Sequence, residues 1–272
     1  MNNYILRRRG LGKISCALIS QHSEVGIEVK RNDQRLPEAS HIIRWGVISS
    51  ARAEVQINTP AAIHQTANKL GFRKLLAEKN LCPKTWTEAS QVIFPCIVRP
   101  EMHSRGQNLY VCRDQTDLSR AIRACGFGWY ASEFIDKKSE FRIYAAQNRV
   151  VGVGEKHPAT SDSVAWNMFM GGSCKNVRWT EWPSKIVKAG LEAHKLSGLD
   201  FGAIDVIVDR ENRPYVLESN SAPTLANYRA QAFAKVFDYM VENGKIGLEL
   251  STRPGAYKKF IHPAICEEAW TE

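Results

Sequence analysis

Several features that would settle a protein's class at once are missing from this chain. No apolar run approaches the ~20 residues that a bilayer-spanning helix requires. The opening Met1-Asn2-Asn3-Tyr4, followed by Arg7-Arg8-Arg9, has none of the long apolar core of a signal peptide. No membrane association is therefore expected, and the cytoplasm is the expected compartment. The seven cysteines, at 16, 82, 96, 112, 125, 174 and 266, are odd in number and form no C-x-x-C pair, and no histidine sits at zinc-ligand spacing. Neither a disulfide framework nor a zinc site is indicated, so the cysteines read as reduced, packed thiols. There is no internal repeat and no low-complexity tract. Gly10-Leu11-Gly12-Lys13-Ile14-Ser15 lacks the G-x-x-x-x-G-K-[ST] spacing of a phosphate loop.

What is present is an ordinary globular composition with an excess of cations. A net charge of +9 over 272 residues favours an anionic partner. A nucleotide, an acidic peptide or a nucleic acid would each satisfy it.

Apolar runs alternate with turn residues in a way that predicts an α/β (α+β) chain. Residues 1–57, with runs 14–19, 25–29 and 42–48, read as a small lobe. Thr59-Pro60 signals a helix start, with Thr as N-cap and Pro in the first turn. A second helix is predicted over 68–79. Strands are predicted at 92–98, 109–112, 130–135, 140–145 and 150–154, with a helix near 117–125 and a long loop over 157–173. The helix 184–197, a hairpin and a last helix near 224–242 complete the described pattern. Tyr257-Lys258-Lys259-Phe260 adds a basic, aromatic stretch near the end.

The hairpin carries the most chemistry. Its strands, 203–208 and 215–219, flank the turn-rich Asp209-Arg210-Glu211-Asn212-Arg213-Pro214, and a register centred on that loop sets Asp205 opposite Glu218. Asn220 shares their face. Ile204, Val206, Val208, Tyr215 and Leu217 are expected on the other, packed face. Opposed carboxylates roughly 5 Å apart repel unless a cation intervenes. A solvated edge and a Mg²⁺ site both fit these residues.

A second hairpin, 140–146 with 150–156, places Glu140 opposite Lys156 and Arg142 on the same side. This is either a cross-strand ion-pair ladder or a ribose acceptor beside phosphate-binding cations. The loop Arg99 to Asn108, with Ser104 and Gly106, has the cations and small residues of a phosphate flap. It precedes Glu133-Phe134-Ile135. His103 and His157 lie in loops beside this region, as do Trp166, Met168, Phe169 and Met170.

In this order the residues resemble the ATP-grasp superfamily over about 58–225, and most closely its branch that ligates glutamate to ribosomal-protein or peptide tails. The resemblance implies an ATP-grasp fold, with a nucleotide held between two α+β lobes (58–132 and 133–250); the small N-terminal lobe (1–57) departs from the family, and 251–272 reads as a C-terminal tail. Asn58-Thr59-Pro60 and Asn68-Lys69 are similar to the family's N-x-P and D-K segments, which implies that Lys69 contacts ATP phosphates. Arg99 stands where lysine is usual, and Ser104 and Gly106 lie in the flap. Glu133, Phe134 and Ile135 would meet adenine, and Glu140 the ribose. Arg142, Lys156 and Asn167, the last in an N-x-x-x-G-G loop ending at Gly171-Gly172, would serve catalysis, while Asp205, Glu218 and Asn220 would bind Mg²⁺.

The implied reaction is ATP-dependent amide formation between a carboxylate and an amine through an acylphosphate, on an amino acid, peptide or protein tail. Modification of a nucleic acid or nucleotide, or nucleotide binding without catalysis, are the alternative readings. Neither the substrates nor an oligomeric state can be read from the residues.

Overall fold

The computed structural model describes residues 2–244, with 35, 37, 104, 105 and 148 excepted. Ser104, Tyr257-Lys258-Lys259-Phe260, Cys266 and the tail 251–272 therefore lie outside the described residues. The chain opens with β1 (Asn3–Arg7), α1 (Lys13–His22), β2 (Ile27–Arg31), β3 (His41–Trp45) and β4 (Val55–Ile57). Their strands form a parallel sheet in the order β2-β1-β3-β4. The glycine before α1 has a packing reason: a Cβ on Gly12 would lie 2.5 Å from Cδ1 of Trp45, and its φ is +68°. Trp45 in turn stacks on Phe201, with ring centroids 5.1 Å apart, and Phe233 and Phe237 meet Phe201 edge-on. This aromatic cluster fastens the N-terminal sheet to the rest of the molecule.

Next come α2 (Pro60–Ala67) and α3 (Lys69–Ala77). Thr59 Oγ1 accepts from the Ala62 N–H at 3.2 Å, and Asn68 Oδ1 accepts from the Gly71 N–H at 2.9 Å. Both helices thus start on the side-chain acceptors that their sequence offers. Asn58 clamps the start of a distant strand, accepting from the Asp200 and Phe201 N–H groups and donating to the Phe201 carbonyl.

A second sheet, all antiparallel, has the order β5-β8-β6-β7. It comprises β5 (Thr85–Trp86), β6 (Cys96–Pro100), β7 (Tyr110–Cys112) and, after α4 (Gln115–Cys125), β8 (Trp129–Glu133). β6 begins at Cys96 rather than Val92, because Pro95 has no N–H to give a ladder. Cys96, Val98, Cys112, Leu118, Ala121 and Ala131 form its core.

The third sheet contains β9 (Lys137–Ala146), β10 (Arg149–His157), β11 (Ser173–Val177), β12 (Phe201–Asp209) and β13 (Pro214–Asn220), in the order β11-β10-β9-β12-β13. α5 (Ser184–Ser197) precedes β12 and matches its expected bounds, ending at Gly198 in the left-handed region. α6 (Asn227–Asn243) follows β13. One face of this sheet packs Phe141, Ile143, Val206 and Val216 against Ile186, Val187 and Ala193 of α5 and Phe72 and Leu76 of α3.

The other face is polar. Gly154, Arg142, Asp205 and Glu218 lie abreast across β10, β9, β12 and β13, and Lys156, Glu140 and Ile207 form the adjoining row. Asp205 does oppose Glu218, but the register shifts between Asp205 and Val206, so that Val206 pairs with Val216. Leu217 is the extra residue of a β-bulge. Val216 therefore takes the packed face expected for Tyr215 and Leu217, and those two turn the other way. Among the described residues no helix is long and apolar enough to cross a membrane.

Candidate active site

The polar face of the third sheet and the second sheet enclose a cavity of about 610 Å³. Lys69 on α3, Arg99 on β6, Glu133-Phe134-Ile135 after β8, Glu140 and Arg142 on β9, Lys156 on β10, Asp205 on β12, and Glu218 and Asn220 on β13 all line it, as do Gly106 and Asn167. Every expected site residue within the described part of the chain is thus brought to one cavity. Arg73, Lys137, Leu217 and Ile207 also line it and were not foreseen as site residues. Only the i, i+4 spacing of Arg73 from Lys69 on a helix could have flagged the first.

The protein's own cations answer the repulsion between the carboxylates. Arg142 forks onto Asp205, with Nε to Oδ1 at 2.7 Å and Nη2 to Oδ2 at 2.8 Å. Lys156 Nζ lies 2.7 Å from Asp205 Oδ2 and 2.7 Å from Glu140 Oε1. Lys137 donates to the other oxygen of Glu140. Lys69 Nζ reaches Glu218 Oε2 at 2.5 Å, and Asn220 Nδ2 donates to Glu218 Oε1 at 3.1 Å.

Burial alone would raise the Asp205 carboxyl, but the charges of Arg142 and Lys156 overcome it and hold the group well below the usual carboxylate range. Burial likewise opposes ionisation of Glu218, and Lys69 outweighs it, bringing the group down to about 2. Both are anions at neutral pH. His103 is pushed down to about 3, by burial first and then by Arg99 and Lys69, so its ring is neutral.

At the hinge, the Glu133 N–H donates to the Lys84 carbonyl at 2.9 Å and the Phe134 N–H to the Pro95 carbonyl at 3.2 Å. Over the cavity, two loops touch: a Cβ on Gly106 would stand 2.3 Å from Asn167 Nδ2. Asn167 also builds its own loop, its Oδ1 accepting from the Met170 N–H at 2.9 Å and its carbonyl from the Gly172 N–H at 2.9 Å. Lys137 Nζ sits 4.5 Å from the ring centroid of Trp166 in the same loop.

Asp205, Glu218 and Asn220 are hard oxygen donors on adjacent strands, a set suited to Mg²⁺ that also holds phosphate. Among the described residues no group of three or more histidine, cysteine or carboxylate side chains forms a tighter metal cluster. The cations around the set match a polyphosphate in charge.

The RimK-like ATP-grasp domain profile matches residues 73–240, more than half of the chain. No curated protein matches in sequence. Among solved structures, the chain is similar to D-alanine--D-alanine ligase from Bacillus anthracis complexed with ATP (TM-score 0.66, 14% identity, 90% of this chain and 96% of that one). It is also similar to a Chryseobacterium gregarium RiPP-associated ATP-grasp ligase in complex with ADP and a leader and core peptide (TM-score 0.65, 15% identity, 87% and 96%). A third is the macrocyclase MdnC from Microcystis aeruginosa, bound with precursor peptide MdnA (TM-score 0.61, 17% identity, 87% and 99%). The chain belongs to the RimK-like ATP-grasp family and is an ATP-dependent carboxylate-amine ligase that uses ATP and Mg²⁺.

Proposed function

We propose that this ligase forms its amide bond on a peptide or protein tail. The observation that carries this reading is the form of the cavity. Its ionic rows lie on the β9–β13 face, and Met168 and Phe169, which also line it, are 66% and 56% exposed. Such a wall suits a chain lying across the site better than an enclosed small molecule. The peptide complexes of the RiPP-associated ligase and of the macrocyclase MdnC lend support.

In this reading Lys69 and Arg99 hold phosphate oxygens, Glu140 the ribose hydroxyls, the 133–135 hinge the adenine, and Asp205, Glu218 and Asn220 the Mg²⁺. Held by those three side chains, Mg²⁺ would supply positive charge to offset that of the phosphate. The substrate carboxylate oxygen bonds to the γ-phosphorus as the bond to ADP breaks; the amine nitrogen then bonds to the acyl carbon, phosphate leaves and the amine gives up a proton. In this reading Arg142 and Lys156 offset charge at the transferring phosphoryl group, and no protein nucleophile takes part. Asn167 shapes the covering loop. We assign 1–57, 58–132 and 133–250 to the N-terminal and the two nucleotide-holding lobes, and 251–272 to a tail.

The test is ADP release with ATP, Mg²⁺ and separate panels of amino acids, peptides and oligonucleotides, followed by product mass. Stimulation by peptides, with a mass gain equal to the amine or acid less water, is expected. Stimulation by oligonucleotides alone would sink the proposal.

A further inference from the structure

Arg73 has no part in the roles assigned above. It lies one turn beyond Lys69 on α3, is 5% exposed and lines the cavity. Its Nε and Nη1 meet no hydrogen-bond partner among the described residues. Its guanidinium carbon is 5.4 Å from the centroid of the Tyr130 ring on β8. On neighbouring β6, the Nε of Arg99 is also buried without a partner among the described residues. The two like charges are close enough that Arg73 helps to lower the pKa of Arg99, after burial, which is the main cause. Glu218, the acid in reach of Arg99, is bonded to Lys69.

Buried guanidinium N–H groups without acceptors are costly, and a position that keeps such groups of two arginines together points to an anion arriving with a ligand. Arginine suits the task better than lysine: it keeps its charge when water leaves, and its fork matches two oxygens of one phosphate. The aromatic ring of Tyr130 fixes the plane of that fork.

We propose that Arg73, together with Arg99, binds the polyphosphate of the nucleotide, so that the α3–β6 wall of the cavity grips non-bridging phosphate oxygens through two guanidinium groups. The proposal rests on the nucleotide occupying this cavity. It makes Arg73 a binding residue rather than a pillar beneath Tyr130.

Calorimetric titration of ADP, adenosine and inorganic tripolyphosphate into the unaltered protein, Arg73→Gln and Arg73→Lys, with melting temperatures alongside, tests it. Arg73→Gln should weaken ADP and tripolyphosphate roughly ten- to hundredfold, the loss of charge-assisted hydrogen bonds, and leave adenosine unchanged. Without ligand its melting temperature should hold or rise, because an uncompensated buried charge is gone. Arg73→Lys keeps the charge but not the fork; it should weaken ADP several-fold, again sparing adenosine, and it carries the test should the Gln variant fail to fold. Equal losses for ADP and adenosine, or a lower melting temperature with ADP affinity intact, would overturn the proposal in favour of a structural role. A raised KM for an acidic peptide with ADP affinity intact would also overturn it, by moving the anion to the substrate. If the unaltered protein binds no ADP at all, the nucleotide assignment itself fails first.

Discussion

Truncating the two opposed carboxylates should have the same effect on activity and very different effects on stability. Asp205 has a side chain 6% exposed and holds both the Arg142 fork and Lys156. In Asp205→Ala, Lys156 keeps Glu140, but Arg142 loses both hydrogen bonds of its fork. Breaking a buried pair from one side costs roughly 3–5 kcal/mol. In a chain of this size that corresponds to a melting temperature lower by roughly 5–10 °C. Glu218 is 28% exposed and pairs with a lysine that is itself 21% exposed. Its removal should cost less than that of Asp205, because both partners reach solvent and Lys69 can be hydrated when the acid is gone.

Urea unfolding beside ADP-release assays measures both quantities. ATP turnover should be lost in each variant, while only Asp205→Ala loses substantial stability. Indistinguishable unfolding midpoints for the two variants would refute the reasoning. Acid gives a second readout. Arg142 and Lys156 keep the folded Asp205 carboxyl below its ordinary value of 3.8 against the opposing effect of burial, so its contribution is present above about pH 3.8 and lost as pH falls through the folded value. The acid limb should be smaller in Asp205→Ala, where Glu218 still contributes to it.

Two further outcomes are expected. His194 on α5 is fully buried, neither ring nitrogen has a hydrogen-bond partner among the described residues, and burial pushes its pKa from 6.5 down to about 4. The unfolded chain takes up that proton first, so stability should fall between pH 6.5 and about 4, by roughly 3 kcal/mol at most. His194→Leu should show a shallower slope in this window, where His103 still contributes, and an unchanged slope in urea titrations across it would count against the assignment. Gly106→Ala forces a Cβ onto Asn167 at a φ of +75°. It should cut turnover through displacement of the covering loops while the melting temperature barely moves, and wild-type kinetics would show that the loops need not meet.

The residues that declared themselves in sequence did so because local chemistry and burial agreed. Thr59-Pro60 and Asn68 carry their own caps, and α5 runs between Pro183 and a left-handed Gly198. A register centred on the turn put Asp205 opposite Glu218; beside the turn the strands pair one residue off that register, and the bulge restores the expected partner. What stayed hidden had no local signature. β11, Ser-Cys-Lys-Asn-Val, has no period-two apolar pattern and is a strand because β10 offers it an edge. The bulge at Leu217 leaves the order of residue types untouched, yet it moves Val216 into the core. Arg73 reads as one more polar helix position until Arg99 and Tyr130 are brought beside it.

That one supernumerary residue in β13 has a wider effect than its size suggests. A regular strand sends consecutive side chains to opposite sides, whereas here Leu217 and Glu218 both reach the cavity, a greasy shelf adjoining an anionic claw. Two chemically unlike surfaces, one for flat organic matter and one for charge, thus come from neighbouring positions of a single segment. Its length is consequently less negotiable than its spelling: conservative swaps at 217 can be absorbed, but deleting one residue would straighten the strand and pull shelf and claw apart.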